Sequence, residues 1–127
     1  MRVAGIGCRR GTSPEEIEAV LALALDRLDA KARRLDALAT LTGKAAEPGM
    51  AEAARRLALP LVACAAEDMR RVEDRIATRS ARVEQATGVA SVAEAAALVA
   101  AGPGGRLIVP RIATARATCA IAEGPGQ

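Results

Sequence analysis

Val3-Ala4-Gly5-Ile6-Gly7-Cys8-Arg9-Arg10-Gly11-Thr12-Ser13-Pro14-Glu15-Glu16 constrains the fold more than any other stretch of the chain. Met1 to Ile6 reads as a short apolar strand, and the glycines that follow read as a sharp turn. Ser13 then suits a helix N-cap, Pro14 the first helical position, and Glu16 the third residue of a capping box. Beyond it, Ile17, Val20, Leu21, Ala24, Leu25 and Leu28 recur at helical spacing, with Glu15, Glu18, Asp26 and Asp29 on the opposite side. A strand running through a glycine turn into a helix N-terminus presents backbone N–H groups at the positive end of a dipole, a setting that favours an anion. Arg9 and Arg10 add guanidinium donors suited to carboxylates or phosphates. The plainer reading is a tight strand–helix turn whose arginines are simply solvated.

The rest of the chain alternates in the same way. Leu35 to Leu41 is expected as the second strand, Thr42-Gly43-Lys44 as a turn, and Pro48-Gly49 as the lead into a helix with Met50, Ala53, Ala54 and Leu57 on one face. Leu61 to Ala65 is uniformly apolar, which suits a buried parallel strand. Glu67 to Ile76 reads as a helix with Met69, Val72 and Ile76 inward, and Ser80 to Thr87 as another, stopping at Gly88. Ser91-Val92-Ala93-Glu94 is a second capping box, opening an alanine-rich helix through Val99 to Ala101. After the Gly102-Pro103-Gly104-Gly105 loop, Arg106 to Pro110 contains a strand and Ala113 to Ala122 the last one, close enough to pair antiparallel. The expectation is an α/β fold: one three-layer α/β/α domain over residues 1–122 with a mixed, mostly parallel sheet of about five strands, and a tail over 123–127.

Composition narrows the function. At 127 residues the chain can bury a real core, but it has no Phe, Tyr, Trp or His, so that core must be built from Ala, Val, Leu, Ile and Met. The missing histidine removes the commonest general base near neutral pH and the commonest metal ligand. The missing aromatics remove base stacking, the usual hold on single-stranded nucleic acid. A net charge of +3 is modest, and the arginines are interleaved with acids, as in Asp68-Met69-Arg70-Arg71-Val72-Glu73-Asp74-Arg75. A solvated helix face explains that mixture better than a nucleic-acid stripe. Cys8, Cys64 and Cys119 are odd in number and form no CxxC, which points away from a zinc site or disulfide framework and towards a reducing, cytoplasmic compartment. No apolar run approaches the roughly 20 residues that span a bilayer. Neither a metal nor another cofactor is expected.

Gly5-Ile6-Gly7-Cys8-Arg9-Arg10-Gly11 after the first strand, the Ser80…Val83…Thr87-Gly88-Val89 segment, and Ser91-Val92-Ala93-Glu94-Ala95-Ala96-Ala97-Leu98 resemble the CobE family. That family is similar to the C-terminal domain of CbiG, the cobalt-precorrin-5A hydrolase of the anaerobic cobalamin pathway. The resemblance runs from Arg2 to Ala122 and implies a three-layer α/β/α domain with a place in corrin-ring assembly. It also implies a lysine in the second-strand turn, matched by Lys44, and one near the end of the penultimate strand, where this chain has Arg111. Arginine keeps the charge there but changes the hydrogen-bond geometry.

Corrinoid intermediates carry carboxylate arms around an apolar ring, so a pocket for one combines cationic donors at its rim with small apolar residues inside. Gly7, Cys8, Arg9, Arg10, Gly11, Lys44, Ser80 and Arg111 are the candidate ligand-binding residues, with the cations at the rim if their loops converge. Four unrelated surface charges are the plainer alternative. Cys8, beside a helix N-terminus and Arg9, has two features that lower a thiol pKa, yet no base to partner it, and is read as a lining residue. Cys64 and Cys119 are read as core thiols, and Ser91 with Glu94 as purely structural. Gly5-x-Gly7-x-x-x-Gly11 loosely resembles a dinucleotide fingerprint, but Leu41-Thr42-Gly43 stands where the acidic residue is required. Three functions follow: a corrinoid-binding protein without chemistry of its own, a hydrolase of a precorrin lactone as in CbiG, or a generic phosphate or nucleotide module. Other enzymes of the cobalamin pathway are the expected protein partners; membrane and nucleic acid are not.

Overall fold

A computed structural model describes residues 1–87 and 90–126 of the chain. Its strands are β1 (Arg2–Cys8), β2 (Ala37–Leu41), β3 (Leu61–Cys64), β4 (Arg106–Ala113) and β5 (Ala117–Glu123), joined in one sheet of order β3-β2-β1-β5-β4. β1, β2 and β3 pair in parallel, whereas β5 lies antiparallel to both β1 and β4. Four strands therefore run one way and β5 the other, the mixed but mostly parallel sheet that the alternation of strands and helices predicts.

Helices α1 (Pro14–Leu25) and α3 (Pro48–Leu57) cover one face, and α4 (Ala66–Arg70) and α6 (Val92–Ala101) the other. Side chains alternate across the strands. Ala4, Ile6 and Leu38 join Ile17, Val20, Leu21 and Met50 on the first face. Val3, Ala37 and Ala39 join Met69, Ala96, Ala97 and Leu98 on the second. Two short helices, α2 (Thr42–Ala45) and α5 (Ala81–Thr87), stand at the end of the sheet where β1 and β2 finish.

A chain without aromatic residues closes its interior by close approach. A β-carbon at Gly5 would stand 1.9 Å from the carbonyl oxygen of Ala93, so α6 rests with its backbone against β1. Ala93, Ala95, Ala96 and Ala97 are fully buried there. Each methyl removed from water stabilises the fold by about 0.8 kcal/mol, and close contact recovers dispersion energy that larger side chains would otherwise supply. Gly5 thus serves helix packing, not the ligand loop.

Several expectations change. Thr42-Gly43-Lys44, expected as a turn, belongs to the four-residue helix α2 over Thr42–Ala45. The helix expected over Glu67 to Ile76 is α4 followed by a 3₁₀ turn at Glu73–Arg75, which still buries Met69, Val72 and Ile76. β3 is an edge strand with Ala63 exposed rather than a buried one, because nothing pairs beyond it. β4 continues past Pro110, a residue tolerated on an edge strand, with register irregularities on both sides of Val109. Thr114 to Arg116 form a tight hairpin connection, so β5 begins only at Ala117. The tail is drawn back: Glu123 belongs to β5, Met1 and Gly124 exchange backbone hydrogen bonds, and Gly126 N–H donates to the carbonyl of Ala101. Gly88 as a helix stop, together with Val89, lies outside the described residues. No described helix is long and apolar enough to cross a membrane.

Candidate functional site

A cavity of about 440 Å³ opens at the C-terminal edge of the parallel strands, where ligands bind in open α/β sheets. β1 supplies Gly7 and Cys8 and the turn after it Arg9; β2 ends there at Leu41, and α2 carries Lys44. Ser80, Val83 and Thr87 come from α5 and the residue before it, and Val92 from the first turn of α6. Arg111 and the β4–β5 hairpin, from Thr114 to Thr118, complete the wall. The six expected residues Gly7, Cys8, Arg9, Lys44, Ser80 and Arg111, from distant parts of the chain, thus border one space.

Arg10 and Gly11 do not border it. Gly11 adopts φ +78°, a conformation open to glycine, and its N–H donates to Glu47 Oε1 at 2.8 Å. Arg9 N–H donates to the carbonyl of Arg116 at 3.0 Å, and Thr12 N–H to that of Arg9 at 3.2 Å. At the start of α1 the capping box closes on itself: Ser13 Oγ accepts from Glu16 N–H at 3.1 Å, and Glu16 Oε1 accepts from Ser13 N–H at 3.3 Å. The turn does attract an anion, but that anion is the protein's own Glu47. Its peptide N–H groups form no cradle for an external phosphate, so the charge facing the cavity comes from side chains.

Three of those side chains have no counter-ion among the described residues. Arg9, Lys44 and Arg111 form no side-chain hydrogen bond or ion pair among the described residues, and no carboxylate is among the described lining residues. A fourth cation, Arg116, was not legible as a site residue because the sequence placed it inside the last strand. Its Nε lies 3.5 Å from Glu16 Oε2, and its terminal nitrogen donates to the carbonyl of Arg10 at 2.7 Å. Between the cations the lining is small: Gly7, Ala115, Ala117, Val83 and Val92, with Thr118 Oγ1 3.4 Å from the carbonyl of Gly7.

The Cys8 thiol pKa is raised, mainly by burial; Lys44 opposes the shift and Glu47 adds to it. Burial thus outweighs the features that would lower the thiol pKa, and Cys8 borders the cavity as a lining residue. Burial likewise pushes Cys64 up to about 11 and Cys119 up to about 12, as befits core thiols. Ser80 Oγ accepts from Val83 N–H at 3.3 Å and so caps α5 while bordering the cavity.

Glu94 is the residue that pattern reading assigned wrongly. Ser91 Oγ accepts from Glu94 N–H at 3.4 Å, but the Glu94 side chain does not return the bond. It is fully buried and accepts three times: from Thr78 N–H at 2.8 Å, from Thr78 Oγ1 at 3.1 Å and from Arg111 N–H at 3.0 Å. It ties the segment entering α5 to the strand bearing Arg111, and so joins two walls of the cavity.

Comparison with known proteins points one way. The family model described as Cobalamin synthesis G C-terminus matches residues 2–122. Protein CobE from Sinorhizobium sp is 39% identical over 120 residues, covering 94% of this chain and 78% of that protein. The crystal structure of CobE, a protein from the cobalamin (vitamin B12) biosynthetic pathway, superposes with a TM-score of 0.88 at 36% identity, over 100% of this chain and 92% of CobE. Cobalamin biosynthesis protein chiG from Agrobacterium tumefaciens str. C58 superposes with a TM-score of 0.75 at 40% identity, over 98% of both chains.

Proposed function

Because this chain belongs to the cobalamin synthesis G C-terminus family and is a protein of cobalamin biosynthesis, we propose that its cavity binds a polycarboxylated corrinoid intermediate and performs no reaction on it. One observation carries the reading: Arg9, Lys44 and Arg111 converge on a small apolar hollow with no acidic side chain among its described lining. Hydrogen bonds to charged groups contribute about 1.5–3 kcal/mol each, so three such contacts would supply a large share of the binding free energy of a carboxylate-bearing ring. The volume of about 440 Å³ falls within the roughly 300–1,000 Å³ of small-molecule sites. It suits one edge of a macrocycle with its arms.

The lining offers little for hydrolysis. The chain has no histidine, the Cys8 thiol is held protonated, and no described carboxylate faces the cavity to serve as a base. A phosphate-loop reading fares no better, since the N–H groups of Arg9, Gly11 and Thr12 are already engaged.

Titration with hydrogenobyrinic acid, whose arms end in carboxylates, and with cyanocobalamin, whose arms are amides, tests the proposal through the visible spectrum of the ring. The acid is expected to give a saturable shift that weakens with salt, and to be recovered unchanged; the amide form is expected to give none. Equal binding of both, conversion of the acid, or stabilisation by nucleotides alone would overturn it.

A further inference from the structure

Arg116 differs from the other cavity cations in already facing a carboxylate. Glu16 does not line the cavity, but its Oε2 faces Arg116 Nε at 3.5 Å, while its Oε1 serves the α1 cap through Ser13 N–H and Ser13 Oγ. The separation exceeds the roughly 2.7–2.9 Å of a strong charge-assisted bond, and both side chains are 41% exposed. Exposed pairs of this kind are weak. The guanidinium itself is fixed by its bond to the carbonyl of Arg10, and the Arg116 backbone by Arg9 N–H, so its position does not depend on Glu16. Glu47 on Gly11 N–H shows independently that this turn recruits internal carboxylates.

We propose that Glu16 is a stand-in for a ligand carboxylate on Arg116, displaced when a polycarboxylate enters the cavity. The proposal rests on the corrinoid reading above and adds a fourth anion subsite to it, one whose occupancy the protein itself contests. Ligands with carboxylates on too few arms leave Glu16 in place; those that reach Arg116 exchange a loose exposed pair for a more shielded, bidentate one.

Glu16→Gln separates this role from the capping role. Glutamine serves equally at the third position of a capping box, so helix α1 and the melting temperature are expected to be retained while the competing charge is lost. Hydrogenobyrinic acid should then bind about two- to five-fold tighter, the range set by a weak exposed pair. In an Arg116→Gln background the same change should give no gain. Unaltered or weaker binding by Glu16→Gln, or a gain that persists without Arg116, would overturn the stand-in role while leaving the corrinoid reading intact. A wild-type protein that gives no spectral response to hydrogenobyrinic acid would remove both.

Discussion

Two arginine-bearing regions of this molecule face opposite fates. On the outer surface of α1 and α3, Arg56 bonds Glu15, Glu18 at 3.3 Å and Glu52 at 3.0 Å, and Arg55 lies 2.5 Å from Glu52. Every cation there has a partner, and the group sits in solvent. At the cavity, Arg9, Lys44 and Arg111 converge with no carboxylate among the described lining, and Lys44 and Arg111 are half-buried. Both regions draw on the same arginine-rich composition, which is why net charge says little about either. Pairing separates them: the interlocked surface group satisfies itself, whereas exposed Arg9 and half-buried Lys44 and Arg111 have no counter-charge among the described residues.

The largest expected effect tests that contrast directly. Arg9→Ala, Lys44→Ala and Arg111→Ala combined should weaken hydrogenobyrinic acid binding by more than about 100-fold, since three charge-assisted contacts are lost. Arg55→Ala with Arg56→Ala should leave affinity unchanged. Equal losses in both variants, read by the same titration, would erase the distinction between the two regions.

A smaller effect comes from the carboxylate beneath the cavity wall. Glu94→Gln keeps the shape but presents an N–H₂ group to donors that need an acceptor, at a cost of about 1–3 kcal/mol. Denaturant unfolding should report that loss, and the affinity should fall with it as Thr78 and Arg111 lose their common anchor. Full stability in this variant would mean that the walls are held by other contacts.

The smallest effect belongs to the outer face and is a pH dependence. Hydrogen bonds from Arg55 and then Arg56 hold the Glu52 carboxyl down to about 2, from 4.5. A depressed acid pKa stabilises the fold above the unfolded value, so this contribution is complete above about pH 4.5 and lost as the pH falls towards 2. Glu52→Gln should flatten that limb of the melting-temperature profile only slightly, because exposed pairs are screened. A steep change would show the outer network to matter more to stability than its exposure allows.

The sequence made the frame legible where local and tertiary demands agree. Ser13-x-x-Glu16 predicts a reciprocal capping box, and one forms because nothing draws both Glu16 oxygens away. Ser91-x-x-Glu94 has the same spacing, yet its glutamate turns inward, because Thr78 and the Arg111 N–H offer a buried carboxylate three donors. Spacing along one helix cannot reveal partners 16 and 17 residues away. Arg116 escaped for a related reason: alternation in Thr114-Ala115-Arg116 imitates a strand, and only the hairpin's return to the β1 turn brings it to the cavity. Lys44 and Arg111 were found through family resemblance, whereas the closing of the glycine turn upon Glu47 depended on α3 docking beside it.

Where the carbonyl of Ala93 fills the place of a β-carbon on Gly5, main chain touches main chain, and no side chain can adjust the gap. That same helix carries Val92 to the cavity and Glu94 to the wall beside it. One wall of the hollow is thus positioned by contact between peptide units, with no side chain between them to absorb a change. A single added methyl at residue 5 would force main chain to shift where β1 meets α6, so the molecule's tolerance for change ends where its two thinnest surfaces meet.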